Sequence, residues 1–220
     1  MRTNSTGPTM GKQLRMATIV FAKEPGAGTA KTRIAAAAGP ACAERIYREL
    51  LAQTAAVLAA FDLHVAWTDA DSPVALRTLF PAATSFFPQR GDSLGKRLRT
   101  GCEHLFAAGY QCACAVGVDC PTLTANDLLT AHAGLENGAD VVLGPAADGG
   151  YYLAGCTPSS LPIFDLASWS TPRLLADTLD VCRTHGFGVN LLETRHDIDT
   201  IEDYHTWAAT DPQGWHASGC

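Results

Sequence analysis

Apolar and polar positions fall into two kinds of segment that alternate from one end of the chain to the other. Residues 17–22 (Ala-Thr-Ile-Val-Phe-Ala) form a continuous β-favouring run, the pattern of a strand buried on both faces. Similar short runs over 63–67, 84–87, 113–118, 140–143, 151–154 and 188–192 predict six more strands. Between them the apolar spacing becomes helical. An Ala-rich stretch has its long second part from Ala41 to Phe61, and a short helix is predicted over 73–79. The 92–108 segment carries Leu94, Leu98, Cys102 and Leu105 on one stripe, and further helices are predicted over 124–136, 171–184 and 201–208.

Strands that alternate with helices predict an α/β fold: a Rossmann-like, mostly parallel mixed sheet with helices on both faces. No Pro/Ser-rich linker or internal repeat breaks the alternation, so one domain is expected over residues 16–210. Residues 1–15 are rich in Gly, Pro, Ser and Thr and lack the apolar stretch of a secretory signal, so they are taken as a flexible tail, with 211–220 as a second.

Composition narrows the function classes. Of the 220 residues 47% are apolar and 17% charged, a globular balance. A chain this long can bury roughly 70% of its unfolded surface and needs no disulfide or metal staple. The net charge of −6 argues against a nucleic-acid polymer as partner but leaves room for one small anion in a locally basic pocket. No stretch approaches the roughly 18 apolar residues of a membrane span, so a cytoplasmic protein is expected. The eight cysteines are scattered and include no Cys-x-x-Cys, so they are expected to be reduced, mostly buried thiols. The seven histidines form no His-x-His or His-x-x-x-His pair, which argues against a zinc enzyme. Nothing in the pattern specifies an oligomeric state.

In an open α/β sheet, ligands bind beyond the carboxyl ends of the strands, and the polar and glycine-rich residues of this chain cluster there. After the first strand comes Lys23-Glu-Pro-Gly26-Ala-Gly28-Thr-Ala-Lys31-Thr-Arg33. Glycines let successive N–H groups face an anion, and three cations stand nearby. A Walker loop is excluded, since Ala30 and Pro25 occupy the positions where it needs glycine. The segment is either an anion loop of another design or a solvated turn. Asp119, after the apolar 113–118 run, suits Mg²⁺, which prefers one or two carboxylates with phosphate oxygens and water; it could also cap a turn. Asp69 and Asp71 are better read as caps for the helix that follows. Asp148-Gly149-Gly150 suggests a backbone passing close to a ligand. Asp197 and Asp199 could compensate the dipole of the last helix or supply metal ligands. The 91–97 segment could lay a nucleobase against main chain and read its edge with Arg97, or be a plain helix start.

Six motifs occur in order between residues 21 and 203: Phe21-Ala-Lys-x-Pro-Gly-x-Gly-x-Ala-Lys-Thr-Arg33, Leu94-Gly-x-Arg97, Asp119-x-Pro121, Gly144-Pro-Ala-x-Asp-Gly-Gly-Tyr-Tyr152, Trp169-Ser-Thr171 and Asp197-x-Asp-Thr-x-x-Asp203. With them the chain resembles bacterial glycosyltransferase-like proteins of the nucleotide-diphospho-sugar transferase (GT-A type) fold. More distantly it is similar to molybdenum-cofactor nucleotidyltransferases and phospholactate guanylyltransferase. The resemblance implies nucleotide contacts from Ala22, Lys23, Gly26, Gly28, Lys31, Arg33, Gly91, Leu94, Gly95 and Arg97, with Lys31 on the reacting phosphorus. It implies Mg²⁺ or Mn²⁺ on Asp119, completed by Asp197 and Asp199. Lys31 and Asp119 would be catalytic, and Asp148, Gly149, Gly150, Tyr151 and Trp169 would line the acceptor side. Asp119-Cys-Pro121 is not the Asp-x-Asp of many sugar transferases, and Val118 stands where Ser or Thr commonly precedes the aspartate. The expected reaction is therefore nucleotidyl transfer from a nucleoside triphosphate to a small acceptor, with pyrophosphate released. The alternatives are a glycosyltransferase using a nucleotide sugar and a nucleotide-binding protein without turnover.

Overall fold

The computed structural model describes residues 14–26 and 30–210; Gly28 and both chain ends, 1–13 and 211–220, lie outside the described residues. Elements follow one another as β1 (Met16–Lys23), α1 (Thr32–Ala38), α2 (Pro40–Leu58), β2 (Leu63–Thr68), α3 (Val74–Leu79), β3 (Ser85–Pro88) and α4 (Leu94–Ala107). The second half continues with β4 (Cys112–Val116), α5 (Ala125–Glu136), β5 (Val141–Pro145), β6 (Tyr151–Cys156), a 3₁₀ segment (Pro158–Phe164), α6 (Leu174–His185), β7 (Val189–Leu191) and α7 (Ile201–Ala208). Gly39, at φ 88°, separates α1 from α2, a backbone conformation open to glycine and costly for other residues.

All seven strands form one sheet in the order β3-β2-β1-β4-β6-β5-β7. Only β6 runs antiparallel to its neighbours β4 and β5. The α/β architecture expected from the alternation is therefore present, as a mostly parallel mixed sheet. Alternating residues of β1 serve opposite faces. Val20 and Ala22 join a core with α2, α3 and α5, and Ala17 and Ile19 join another with α4, the 3₁₀ segment and α6. A third cluster gathers Ile34 of α1, Ile46 and Leu50 of α2, Tyr204 of α7 and Ile198 in the segment before it.

Two features of this arrangement position the site. The chain runs outward from β1 through β2 to β3, then returns across β1 to β4. The connections after β1 and β4 thus leave in opposite directions and open a crevice at the carboxyl edge between them. Ile198, 2% exposed, is buried with α1 and α2, so the flanking Asp197 and Asp199 are carried to the loop that follows β1.

Six cysteines, Cys102, Cys112, Cys114, Cys120, Cys156 and Cys182, are free and buried, as expected. Cys42 departs from that expectation and is disulfide-bonded. Leu14 and Arg15, assigned from sequence to the tail, pack at the sheet: Arg15 lies 4.3 Å over the Tyr110 ring. No helix among the described residues is long and apolar enough to cross a membrane.

Candidate active site

Lys31 caps the start of α1 in the left-handed region, φ 51° and ψ 47°. A non-glycine residue there costs on the order of 1–3 kcal/mol and persists only where its surroundings hold it. Its side chain supplies that hold. The ammonium is 5% exposed, lies 2.5 Å from Asp119 Oδ1 and 3.9 Å from Asp199 Oδ1, and donates to the Ile198 carbonyl. Lys31 is thus a buried cation tied to carboxylates, not a side chain extended toward solvent. Arg33 Nη1, largely exposed, lies 3.3 Å from Asp199 Oδ2.

Asp119 follows β4 directly across the crevice from the β1 loop, and its carbonyl accepts from Ile198 N–H at 2.8 Å. One backbone bond therefore joins the Asp119 loop to the segment bearing Asp197 and Asp199. Asp197 Oδ1 is buried and has no hydrogen-bond partner. Burial first, then the carboxylates of Asp119 and Asp148, push the Asp197 carboxyl up to about 7, with Lys31 opposing and Asp199 adding to the rise. Asp119 and Asp199 beside the Asp197 carboxyl, with a single buried ammonium among them, make an arrangement short of cation. Among the described residues no three His, Cys, Asp or Glu side chains form a ready metal cage.

The structure also shows which side chains cap α7 and α3. Asp203, not Asp197 or Asp199, caps α7: its Oδ2 accepts from Thr200 N–H at 2.8 Å and Asp199 N–H at 3.1 Å, and Thr200 returns the bond. The side-chain bonds at the start of α7 therefore come from Thr200 and Asp203, with Asp197 and Asp199 just before them. The capping role expected of Asp69 and Asp71 falls instead to Glu24, whose carboxylate accepts from Ala75 and Leu76 N–H at 2.5 and 3.2 Å. Asp69, at φ 68°, pairs with Lys23 at 3.0 Å.

The remaining candidates lie along the same edge but do not join the Lys31–Asp119 cluster. Ala22 is 2% exposed and its carbonyl accepts from Gln89 Nε2, which also reaches the Ala66 carbonyl. Gly26 lies partly exposed beyond β1. Leu94 is exposed at the first position of α4, and Arg97 Nε donates to the Gly91 carbonyl at 3.2 Å. Gly95 has a packing reason to be glycine: a Cβ there would stand 2.1 Å from Trp169 Nε1. Trp169 donates to the Phe164 carbonyl at 3.2 Å and meets Tyr151 edge-on at 5.8 Å, so both aromatics anchor the loop before α6. Asp148 is exposed and accepts from Gly150 N–H at 2.8 Å, while Gly149, at φ 91°, passes against Pro172 with no room for a Cβ.

Sequence reasoning missed two supports. Tyr47 accepts from Lys23 N–H at 2.8 Å and donates to the Lys23 carbonyl, which fixes the end of β1. The buried Asp127 and the half-buried Arg195, paired at 2.8 Å, had no motif to announce them.

The chain belongs to the bacterial family described as "uncharacterized protein conserved in bacteria (DUF2064)", whose model matches residues 50–171. The matched stretch includes Asp119, Asp148 and Trp169, and stops short of Lys31 on one side and Asp197 on the other. No curated protein matches the chain. Among solved structures it is similar to a "putative nucleotide-diphospho-sugar transferase" from Desulfovibrio desulfuricans G20, with 28% identity, 93% of this chain and 90% of that one covered, and a TM-score of 0.83. It also shares its fold with 4-diphosphocytidyl-2C-methyl-D-erythritol synthase from Anaerococcus prevotii DSM 20548, at 10% identity, 90% and 98% coverage and TM-score 0.59. The same holds for a CMP:2-keto-3-deoxy-manno-octonic acid synthetase complexed with CTP, at 13% identity, 89% and 97% coverage and TM-score 0.53. The fold is thus that of nucleotide-diphospho-sugar transferases and cytidylyltransferases.

Proposed function

We propose that this DUF2064 protein is a metal-dependent, nucleotide-using transferase that moves a nucleotidyl group from a nucleoside triphosphate to a small acceptor. One observation carries the reading. The buried Lys31 ammonium pairs with Asp119 at the β1/β4 switch point, beside a carboxylate, Asp197, that keeps an unpartnered buried oxygen. A triphosphate bound there would meet a cation already held in place, and preorganised charge is the main way proteins assist phosphoryl chemistry.

The residues fit a divalent ion. Asp119 and Asp197, with Asp199 beside them, are hard oxygen donors, and one or two such carboxylates suffice for Mg²⁺ or Mn²⁺ when phosphate oxygens and water complete the set. Asp197 Oδ1, orphaned among like charges, is the feature such an ion would relieve. When bound, the ion would neutralise charge on the phosphates. Lys31, held beside Asp119, would offset the charge that develops as the acceptor oxygen attacks the α-phosphorus and pyrophosphate leaves. The Lys23–Arg33 loop would cover the phosphates, with Arg33 on its exposed side. Gly91, Leu94, Gly95 and Arg97 would border the base, and the Asp148–Tyr151 turn, braced by Trp169, would border the acceptor.

A second reading keeps this site and exchanges the donor for a nucleotide sugar; the relative from Desulfovibrio desulfuricans supports it. Product analysis separates the two. Incubation with Mg²⁺, each donor class and a panel of phosphorylated and hydroxylated acceptors is expected to release pyrophosphate from a triphosphate. Release of a nucleoside diphosphate from a nucleotide sugar, without pyrophosphate under matched conditions, would replace the first reading with the second.

A further inference from the structure

The two halves of the proposed site come from distant segments, 117–124 after β4 and 193–199 after β7. Beside the backbone bond from Ile198 N–H to the Asp119 carbonyl, one buried side-chain carboxylate also joins them. Asp127, 5% exposed, is the third residue of the first turn of α5. Its Oδ2 accepts from Thr124 N–H at 2.7 Å and from the Thr124 hydroxyl at 2.8 Å, which ties it to the Asp119 loop. Its Oδ1 accepts from Arg195 Nη2 at 2.8 Å, which ties it to the Asp197 segment. Arg195 is in turn fixed through its backbone: its N–H donates to the Pro145 carbonyl at 3.0 Å and its carbonyl accepts from Ala147 N–H at 2.9 Å. Tyr152 completes the junction, donating to the Glu193 carbonyl at 3.2 Å.

A helix cap needs only the Thr124 bonds. A largely shielded guanidinium on the other oxygen is costly to desolvate and is weak evidence of a stabilising purpose, since an apolar pair would hold the fold as well. What the ion pair adds is a direction: it sets how far the Asp197 segment stands from the Asp119 loop. We propose that Asp127 and Arg195 are positioning residues, a strut that holds the Asp197/Asp199 carboxylates at working distance from Asp119. This rests on the reading of those carboxylates as a divalent-cation site.

The test is Mn²⁺ affinity, read from the electron paramagnetic resonance of free Mn²⁺, on full-length wild type, Asp119→Asn, Arg195→Met, Arg195→Lys and the double variant Asp127→Asn/Arg195→Met. Melting curves run in parallel. Wild type should bind and Asp119→Asn should not, which locates the ion. Arg195→Met should bind roughly tenfold more weakly or worse, since losing one supporting contact of a metal site typically costs 10–100-fold. Arg195→Lys should recover part of that loss. The double variant leaves no buried unpaired charge and should melt above Arg195→Met, yet bind Mn²⁺ just as weakly. That split between stability and affinity is what a merely structural pair would not give. Wild-type Mn²⁺ affinity in the folded variants would overturn the strut while leaving the cation site standing. Failure of wild type to bind Mn²⁺ would overturn the cation site, and the strut with it.

Discussion

The sheet carries a polar cluster at each end, and the two are built on opposite terms. At the amino edge, His64 is 4% exposed, yet both ring nitrogens are engaged: Nδ1 with the Ser85 hydroxyl at 2.7 Å and Nε2 with the Tyr110 hydroxyl at 3.0 Å. Asp62 accepts from the Tyr110 hydroxyl at 2.6 Å and the Thr84 hydroxyl at 2.8 Å. At the carboxyl edge, Asp119, Asp197 and Asp199 gather around one ammonium, and Asp197 keeps an oxygen that nothing satisfies. Buried polar groups normally find partners, so a satisfied network reads as structure and an unsatisfied one asks for a ligand. The comparison assigns the amino edge to stability and the carboxyl edge to function.

Three substitutions can break that assignment. Asp119→Asn should have the largest effect, a loss of pyrophosphate release on the order of 10³-fold, because it removes charge from the proposed cation site and frees Lys31. Retained Mg²⁺-stimulated turnover would move the site elsewhere. Lys31→Met should cost on the order of 10²-fold in kcat, the scale of one preorganised charge contact. From sequence alone Lys31 is expected to point at phosphate, so that Lys31→Ala would leave the melting temperature nearly unchanged. The buried ammonium revises this: the variant should also melt lower, because the Ile198 carbonyl and Asp119 lose their partner. A variant with full activity would reduce the pair to a fold support.

His64→Leu should do the reverse. It removes the ring's hydrogen bonds to the Tyr110 and Ser85 hydroxyls, at about 2 kcal/mol, or roughly 4–8 °C for a chain of this size, with kcat unchanged. The smallest expected effect is on pH. Burial holds the His64 imidazole below its ordinary value, against the pull of Asp62. The native state therefore takes up the proton less readily than the unfolded chain does. The neutral ring contributes full stability above about pH 6.5 and loses it as pH falls toward its folded value. His132, also lowered by burial, shares that window, so His64→Leu should flatten the acid-side slope without abolishing it. An unchanged slope would mean that His64 does not titrate against folding.

Much of the fold was legible because it rests on local pattern. The continuous apolar run at 17–22 became the interior strand β1, and the expected 201–208 helix is α7. The 3₁₀ segment over Pro158–Phe164 was not foreseen: two prolines and a polar start offer no helical period. Nor was the reversed direction of β6, which depends on partners and not on its own residues. At the site, Lys31, Asp119, Asp197 and Asp199 could be picked out by residue type and place, but their pairing could not. Which ammonium meets which carboxylate is decided by the switch from β1 to β4 and by the burial of Ile198. Glu24 capping α3 and Arg195 reaching Asp127 are likewise contacts between segments far apart in sequence, where no spacing rule reaches.

The most direct test of the contrast between the edges is the melting temperature of wild type, Asp119→Asn and His64→Leu against a panel of nucleoside triphosphates and nucleotide sugars, with Mg²⁺ and with a chelator. A ligand at about 100 times its dissociation constant stabilises by about 2.7 kcal/mol, or roughly 5–10 °C here. At least one nucleotide should give that shift in wild type with Mg²⁺ and much less with the chelator. His64→Leu should keep the shift from its lower starting point, and Asp119→Asn should lose it. No shift with any nucleotide at millimolar concentration, or a full shift in Asp119→Asn, would contradict the account.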